Sequence, residues 1–143
     1  MSAALIAALV LTVILLVVTT YFFLGSMPLL VLRHDSPMDS RFVRGFFNTY
    51  YLAVMFVAGV TGLTYAVAGR LAFATGAGAL AVLAGVLRRT IIPKMDWLRG
   101  QIPVSRTNAI AGFRRVHMTA IAINLAQLIA IVWTLIAVSL QMR

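Results

Sequence analysis

Apolar positions in this chain gather into four long runs. The first extends from about Ala3 to Leu24 and continues weakly to Leu32. The second covers about Phe46 to Ala68, the third about Leu71 to Ile92, and the fourth about Val116 to Leu140. Each run has the ~20 apolar residues needed to cross ~30 Å of hydrocarbon. In lipid the backbone has to satisfy its own hydrogen bonds, so each run is read as a helix. The pattern therefore predicts an all-α integral membrane four-helix bundle, a single domain over residues 1–143 with spans at about 3–24, 46–68, 71–92 and 116–140.

The polar breaks between the runs differ in kind. A tight turn at Gly69-Arg70 makes spans two and three an antiparallel hairpin. Spans one and two are joined by Arg33 to Arg44. There Ser36-Pro37-Met38-Asp39 has the form of a capping box, with Ser36 as N-cap and Pro37 at the first helical position. The second helix is thus expected to start near Pro37, ahead of the membrane. The longest break, Arg88 to Arg115, contains Pro93 and Pro103 and is read as a loop with one short amphipathic piece, in which Trp97 is an interfacial anchor.

Composition supports lipid as the solvent: 62% of the 143 residues are hydrophobic and only 10% charged, against roughly 25% charged in a soluble domain. The net charge of +9 does not point to nucleic acid, because the bases flank apolar spans instead of lining a soluble face. The two longer connections hold Arg33, Arg41, Arg44, Arg88, Arg89, Lys94, Arg99, Arg106, Arg114 and Arg115, and the opposite side holds only Arg70 and Arg143. This asymmetry predicts both longer connections in the cytoplasm and both termini on the non-cytoplasmic side, as expected for a bacterial inner-membrane protein. The first run lacks a basic stretch before it and is too long for a signal-peptide core, so it is read as a retained helix. The bases near the membrane surface, above all Arg88, Arg89, Arg114 and Arg115, are expected to meet anionic lipid headgroups.

Candidate chemistry is sparse. There is no Cys, which excludes disulfides and thiolate metal or iron–sulfur ligation, and the acids are three Asp with no Glu. That shortage counts against most hydrolytic mechanisms. The fourth span is the most informative. His117, Asn124, Gln127 and Thr134 share one stripe, since seven residues is close to two helical turns. Gln127 lies ~15 Å in from His117, near mid-membrane, and polar groups at that depth face the bundle interior. The plain reading is interhelical hydrogen bonding. The functional reading is a ligand-binding cleft lined by His117, Asn124, Gln127 and Tyr51, with His117 at its cytoplasmic mouth. The facing partners are expected to be Thr19 and Thr20 on the first span and Thr61 or Tyr65 on the second. Tyr50, Tyr51 and Trp133 otherwise read as interfacial or core aromatics. Gly59 and Gly62, with Gly78 and Gly85, are spaced for close helix approach. A two-His, two-carboxylate cation site from His34, Asp35, Asp39 and His117 is a weaker alternative, and no metal site is predicted. Heme is a minor possibility, since no His lies mid-span; no cofactor is predicted.

The fourth span begins FRRVHMTAIAINLAQL, with Phe113, then Val116-His117, then Asn124 seven residues after the His. This spacing resembles the small four-helix membrane proteins grouped as domain of unknown function 4149, a family that includes animal transmembrane protein 205. LGSMPLL at the end of the first span, FFNTYY at the start of the second and IIPKMDWLR after the third fit more loosely. The resemblance implies a four-helix bundle and gives weight to His117 and Asn124 without assigning them a role. More distantly, the chain is similar to anthrone-oxygenase-like four-helix membrane proteins, which implies an alternative as a cofactor-independent oxidase.

Three functions follow as expectations. The leading one is a non-enzymatic membrane protein that binds a small amphiphile or serves as an accessory subunit of a membrane complex. The alternatives are a small membrane oxidoreductase, and a component of a dimeric transporter. A homo-oligomer is compatible with each.

Overall fold

The computed structural model describes residues 2–33 and 36–141. It is all-helical, with α1 at Ala3–Leu29, α2 at Pro37–Val67, α3 at Leu71–Gln101 and α4 at Arg106–Gln141. Each of the four is long and apolar enough to cross a membrane. The helices pack in a ring: α1 against α2, α2 against α3, α3 against α4, and α4 back against α1. Large apolar side chains such as Val17, Phe56, Val82, Ile129 and Trp133 cover the outside. An apolar outside of this kind suits lipid, not water.

Local signals set the helix ends. Ser36 accepts a hydrogen bond from the Asp39 N–H at 3.0 Å and Pro37 occupies the first turn, so α2 starts where the capping motif places it. Gly69 has φ +72°, and Arg70 N–H bonds Tyr65 O at 2.9 Å while Gly69 N–H bonds Ala66 O at 3.0 Å. That pair of bonds is a Schellman motif, and it needs the left-handed residue that glycine supplies without strain.

The stretch from Arg88 to Arg115 differs from the expected loop. α3 runs through Pro93 to Gln101 and α4 begins at Arg106, which leaves only Ile102 to Ser105 between them. Proline removes one backbone donor and disfavours helix before it, but packing outweighs this here. Ile92, Met95, Leu98 and Ile102 recur on one face and are buried, as are Ala109, Phe113 and Val116 on α4. A Cβ on Gly112 would lie 2.9 Å from Leu98 Cδ2, so the missing side chain lets Leu98 seat on the α4 backbone. The two helix ends thus continue the bundle past the third and fourth apolar runs. This end carries most of the bases and is termed the basic end below. Trp97 sits on this extension and is 63% exposed.

The glycines divide. A Cβ on Gly62 would lie 3.1 Å from Ala74 O and 3.2 Å from Gly78 N, so α2 and α3 cross there backbone to backbone. A Cβ on Gly59 would meet nothing within 4 Å. The expectation that Gly59 packs against a helix is therefore corrected: three residues away from Gly62, it has turned off the contact face.

Candidate functional site

The inward stripe of α4 carries the interior polarity. His117, Asn124 and Gln127 are 0%, 0% and 3% exposed. Their partner comes from α2, across the diagonal of the ring. The Tyr50 hydroxyl lies 2.9 Å from Asn124 Oδ1 and 2.7 Å from Gln127 Oε1. One hydroxyl proton cannot serve both oxygens. Turning either side-chain amide by 180° places its NH2 against the tyrosine oxygen instead and gives a chain, amide N–H to Tyr50 O, then Tyr50 O–H to the other amide oxygen. Tyr50 then both accepts and donates.

This corrects the expected facing residues. Of the residues expected there, Thr19 is fully buried and lies beside the Tyr50 hydroxyl. Thr61 gives its hydroxyl proton to Val57 O at 2.7 Å, and Tyr65 pairs with Thr12 at 3.0 Å. Thr12, Thr61, Tyr65 and Thr134 surround a cavity of about 10 Å³ nearer the other end of the bundle, enough for one water. The sequence reads Tyr50 as an interfacial or core aromatic, and it is a core residue, fully buried. α2 begins at Pro37, which sets Tyr50 about 20 Å along the helix at 1.5 Å per residue. The signal was available in the capping motif at Ser36, which already implied an early start.

His117 is fully buried eleven residues into α4, and its ring stacks edge-on against Phe47 at 5.4 Å. Tyr51, 1% exposed, lies 6.1 Å from Phe47 and 5.5 Å from Tyr50, ring centroid to centroid. Tyr50, Asn124 and Gln127 are thus joined directly, and ring contacts run from Tyr50 through Tyr51 and Phe47 to His117.

Hydrogen-bonding capacity remains over. Tyr51 Oη, Thr19 Oγ1, Asn124 Nδ2 and Gln127 Nε2 are buried without a hydrogen-bond partner among the described residues. After one amide is turned to engage Tyr50, what remains is one amide NH2, one amide oxygen and the two hydroxyls, so both donors and acceptors are left over. Polar groups left this way in an apolar interior cost free energy until something pairs with them.

The cluster lies directly behind a groove that opens toward lipid. Between α1 and α2, Tyr21, Phe22, Phe42, Phe46 and Thr49 line a depression of about 460 Å³, with Arg41 at its rim. Phe22 packs on Phe46 with ring centroids 4.8 Å apart and on Tyr50 at 5.4 Å. Both phenylalanines are half-buried, so they form the wall between the groove and Tyr50. Phe46 also presses on bare backbone, since a Cβ on Gly25 would lie 2.8 Å from Phe46 Cζ.

At the basic end, Arg44 forks onto Asp96 through Nε and Nη2 at 3.0–3.2 Å, and Arg99 approaches the same carboxylate at 3.4 Å. Arg88 donates to Asn48 Oδ1 at 3.0 Å and is half-buried, whereas Arg89, Arg114 and Arg115 are exposed. In the alternative cation site, His34 and Asp35 lie outside the described residues, while Asp39 is at the start of α2 and His117 is deep on α4.

Comparison with protein-family models, with curated proteins and with solved structures returned no match for this chain.

Proposed function

We propose that this chain binds a small amphiphile from the membrane, seated in the groove between α1 and α2 with its acceptor-bearing head toward Tyr50, Tyr51, Asn124 and Gln127. The observation that supports this reading is the set of buried hydrogen-bonding groups without a partner among the described residues behind the Phe22–Phe46 wall. A carbonyl-type oxygen on an otherwise apolar molecule would accept from the Tyr51 hydroxyl and the spare amide N–H, and the aromatic groove would take the rest of it. Binding fits the residues better than catalysis: the buried polar residues comprise hydroxyls, two amides and His117, with no carboxylate among those described. The resemblance of Phe113, His117 and Asn124 to the four-helix family is part of the same proposal.

The test uses two probes that share a tail. The purified protein in nanodiscs is offered decylubiquinone or decylbenzene, and uptake is read by native mass spectrometry. About tenfold preference for the quinone is expected, the equivalent of ~1.4 kcal/mol. Equal uptake of the two probes, or none of either, overturns the reading.

The topology proposed with it puts the basic end in the cytoplasm of a bacterial inner membrane and the chain ends outside, on the strength of the basic-residue asymmetry. A reporter active only in the cytoplasm, fused after Arg143, should be silent, and the same reporter inserted between Ile102 and Ser105 should be active. The reverse pattern inverts the assignment.

A further inference from the structure

The basic end holds a second site; it lies apart from the interior polar cluster, and Arg41 borders both this site and the aromatic groove. Along the seam of α2 and α3, two grooves adjoin. One, of about 780 Å³, is lined by Arg41, Arg44, Asp96 and Arg99; the other, of about 480 Å³, by Arg44, Asn48, Arg88, Arg89 and Asp96. Arg44 and Asp96 are common to both. They form the partition, since Arg44 is forked onto the carboxylate and Arg99 leans on it.

The partition shapes the charge. Asp96 cancels most of the field of Arg44 at the junction and would repel an anion centred there. Each lobe beyond it keeps positive charge: Arg41 with Arg99 on one side, Arg88 with Arg89 on the other. Arg88 is steered by Asn48, a neutral amide, so the bond orients the guanidinium without neutralising it. Guanidinium groups pair with phosphate oxygens through parallel N–H donors. Averaged over the residues of α2 and α3 that line each groove, the lobe centres are about 7 Å apart at 1.5 Å rise, a spacing that the six bonds between two phosphorus atoms joined through one glycerol can span. Phe42 and Trp97, both well exposed, put apolar surface on the same two helices.

We infer that this seam binds a lipid with two phosphodiesters joined through one glycerol, one phosphate in each lobe and the bridge straddling Asp96. A lipid with one phosphate fills one lobe and leaves the other empty. Four bases with lipid-facing apolar surface around them fit a membrane lipid better than a free anion, and basic pockets between helices are a known setting for such headgroups. Arg114 and Arg115 line neither groove, so headgroup contact there is general leaflet attraction and not part of this site.

The full-length protein in nanodiscs is exchanged against cardiolipin or phosphatidylglycerol at matched total phosphate, and retained lipid is counted by native mass spectrometry. Wild-type protein should retain cardiolipin about tenfold over phosphatidylglycerol, two phosphates being held by one molecule. Arg41→Gln and Arg89→Gln each remove one of the two bases of a lobe. Both residues are exposed with no ion pair among the described residues, and each change should reduce that preference to about twofold. Asp96→Asn removes the central repulsion, and phosphatidylglycerol retention should rise toward that of cardiolipin. No preference in the wild type at matched charge reduces the seam to ordinary leaflet electrostatics and overturns the inference. So does an unaltered preference in all three variants. Thermal melting of each variant, run in parallel, separates lost binding from lost fold.

Discussion

Replacing Gly62 with leucine pushes α2 away from α3 and destabilises the bundle by about 2 kcal/mol or more, within the range for overpacking a filled contact. The reason is the nature of the neighbours. A Cβ there already comes within 3.1 Å of Ala74 O and 3.2 Å of Gly78 N. Both are backbone atoms of α3, so neither can rotate aside as a side-chain end would. The remaining atoms of leucine require the two helices to separate along their shared face, the most extensive in the bundle. Gly59→Leu is the control. Its Cβ meets open space, so its effect should stay within about 0.5 kcal/mol. Thermal melting in one detergent resolves the two. Equal melting temperatures for both variants would refute the backbone contact.

Asn124→Leu should reduce decylubiquinone uptake to the level of decylbenzene while the protein still folds. Leucine has the same branched shape of four side-chain heavy atoms as asparagine and removes both its contact with Tyr50 and its unpartnered polar atom. Interhelical hydrogen bonds in membranes contribute on average only ~0.6 kcal/mol, so the fold should survive. Tyr50→Phe makes a sharper companion. It removes the one group that joins Asn124 to Gln127 and leaves both amides in an apolar interior, at a cost of about 1–3 kcal/mol. If Asn124→Leu lowers the melting temperature and leaves quinone uptake intact, the cluster is interhelical glue and the binding proposal is wrong. If uptake falls with no change in melting, the amide serves the ligand.

The sequence by itself determined the elements that depend on composition and local bonding. Four apolar runs of membrane length force four helices, because lipid offers the backbone no other partner. Ser36-Pro37 and Gly69 set their helix ends through caps that a few adjacent residues complete. The inward turn of Asn124 and Gln127 was legible too, since an amide facing hydrocarbon is too costly to persist. What required the tertiary structure was every outcome in which one helix answers another. Pro93 is a stop signal in isolation, yet α3 continues past it because Met95 and Leu98 find Phe113 and the bare backbone at Gly112. Tyr50 is an ordinary aromatic in the sequence. It becomes the centre of the polar cluster only because the ring of helices sets α2 diagonally across from α4. Asp96 is an isolated acid among bases until folding places it against Arg44, fifty-two residues away in the chain. Hydropathy is a property of a segment and survives without partners, whereas a hydrogen bond or a close approach belongs to a pair, and the pair exists only once the chain has folded.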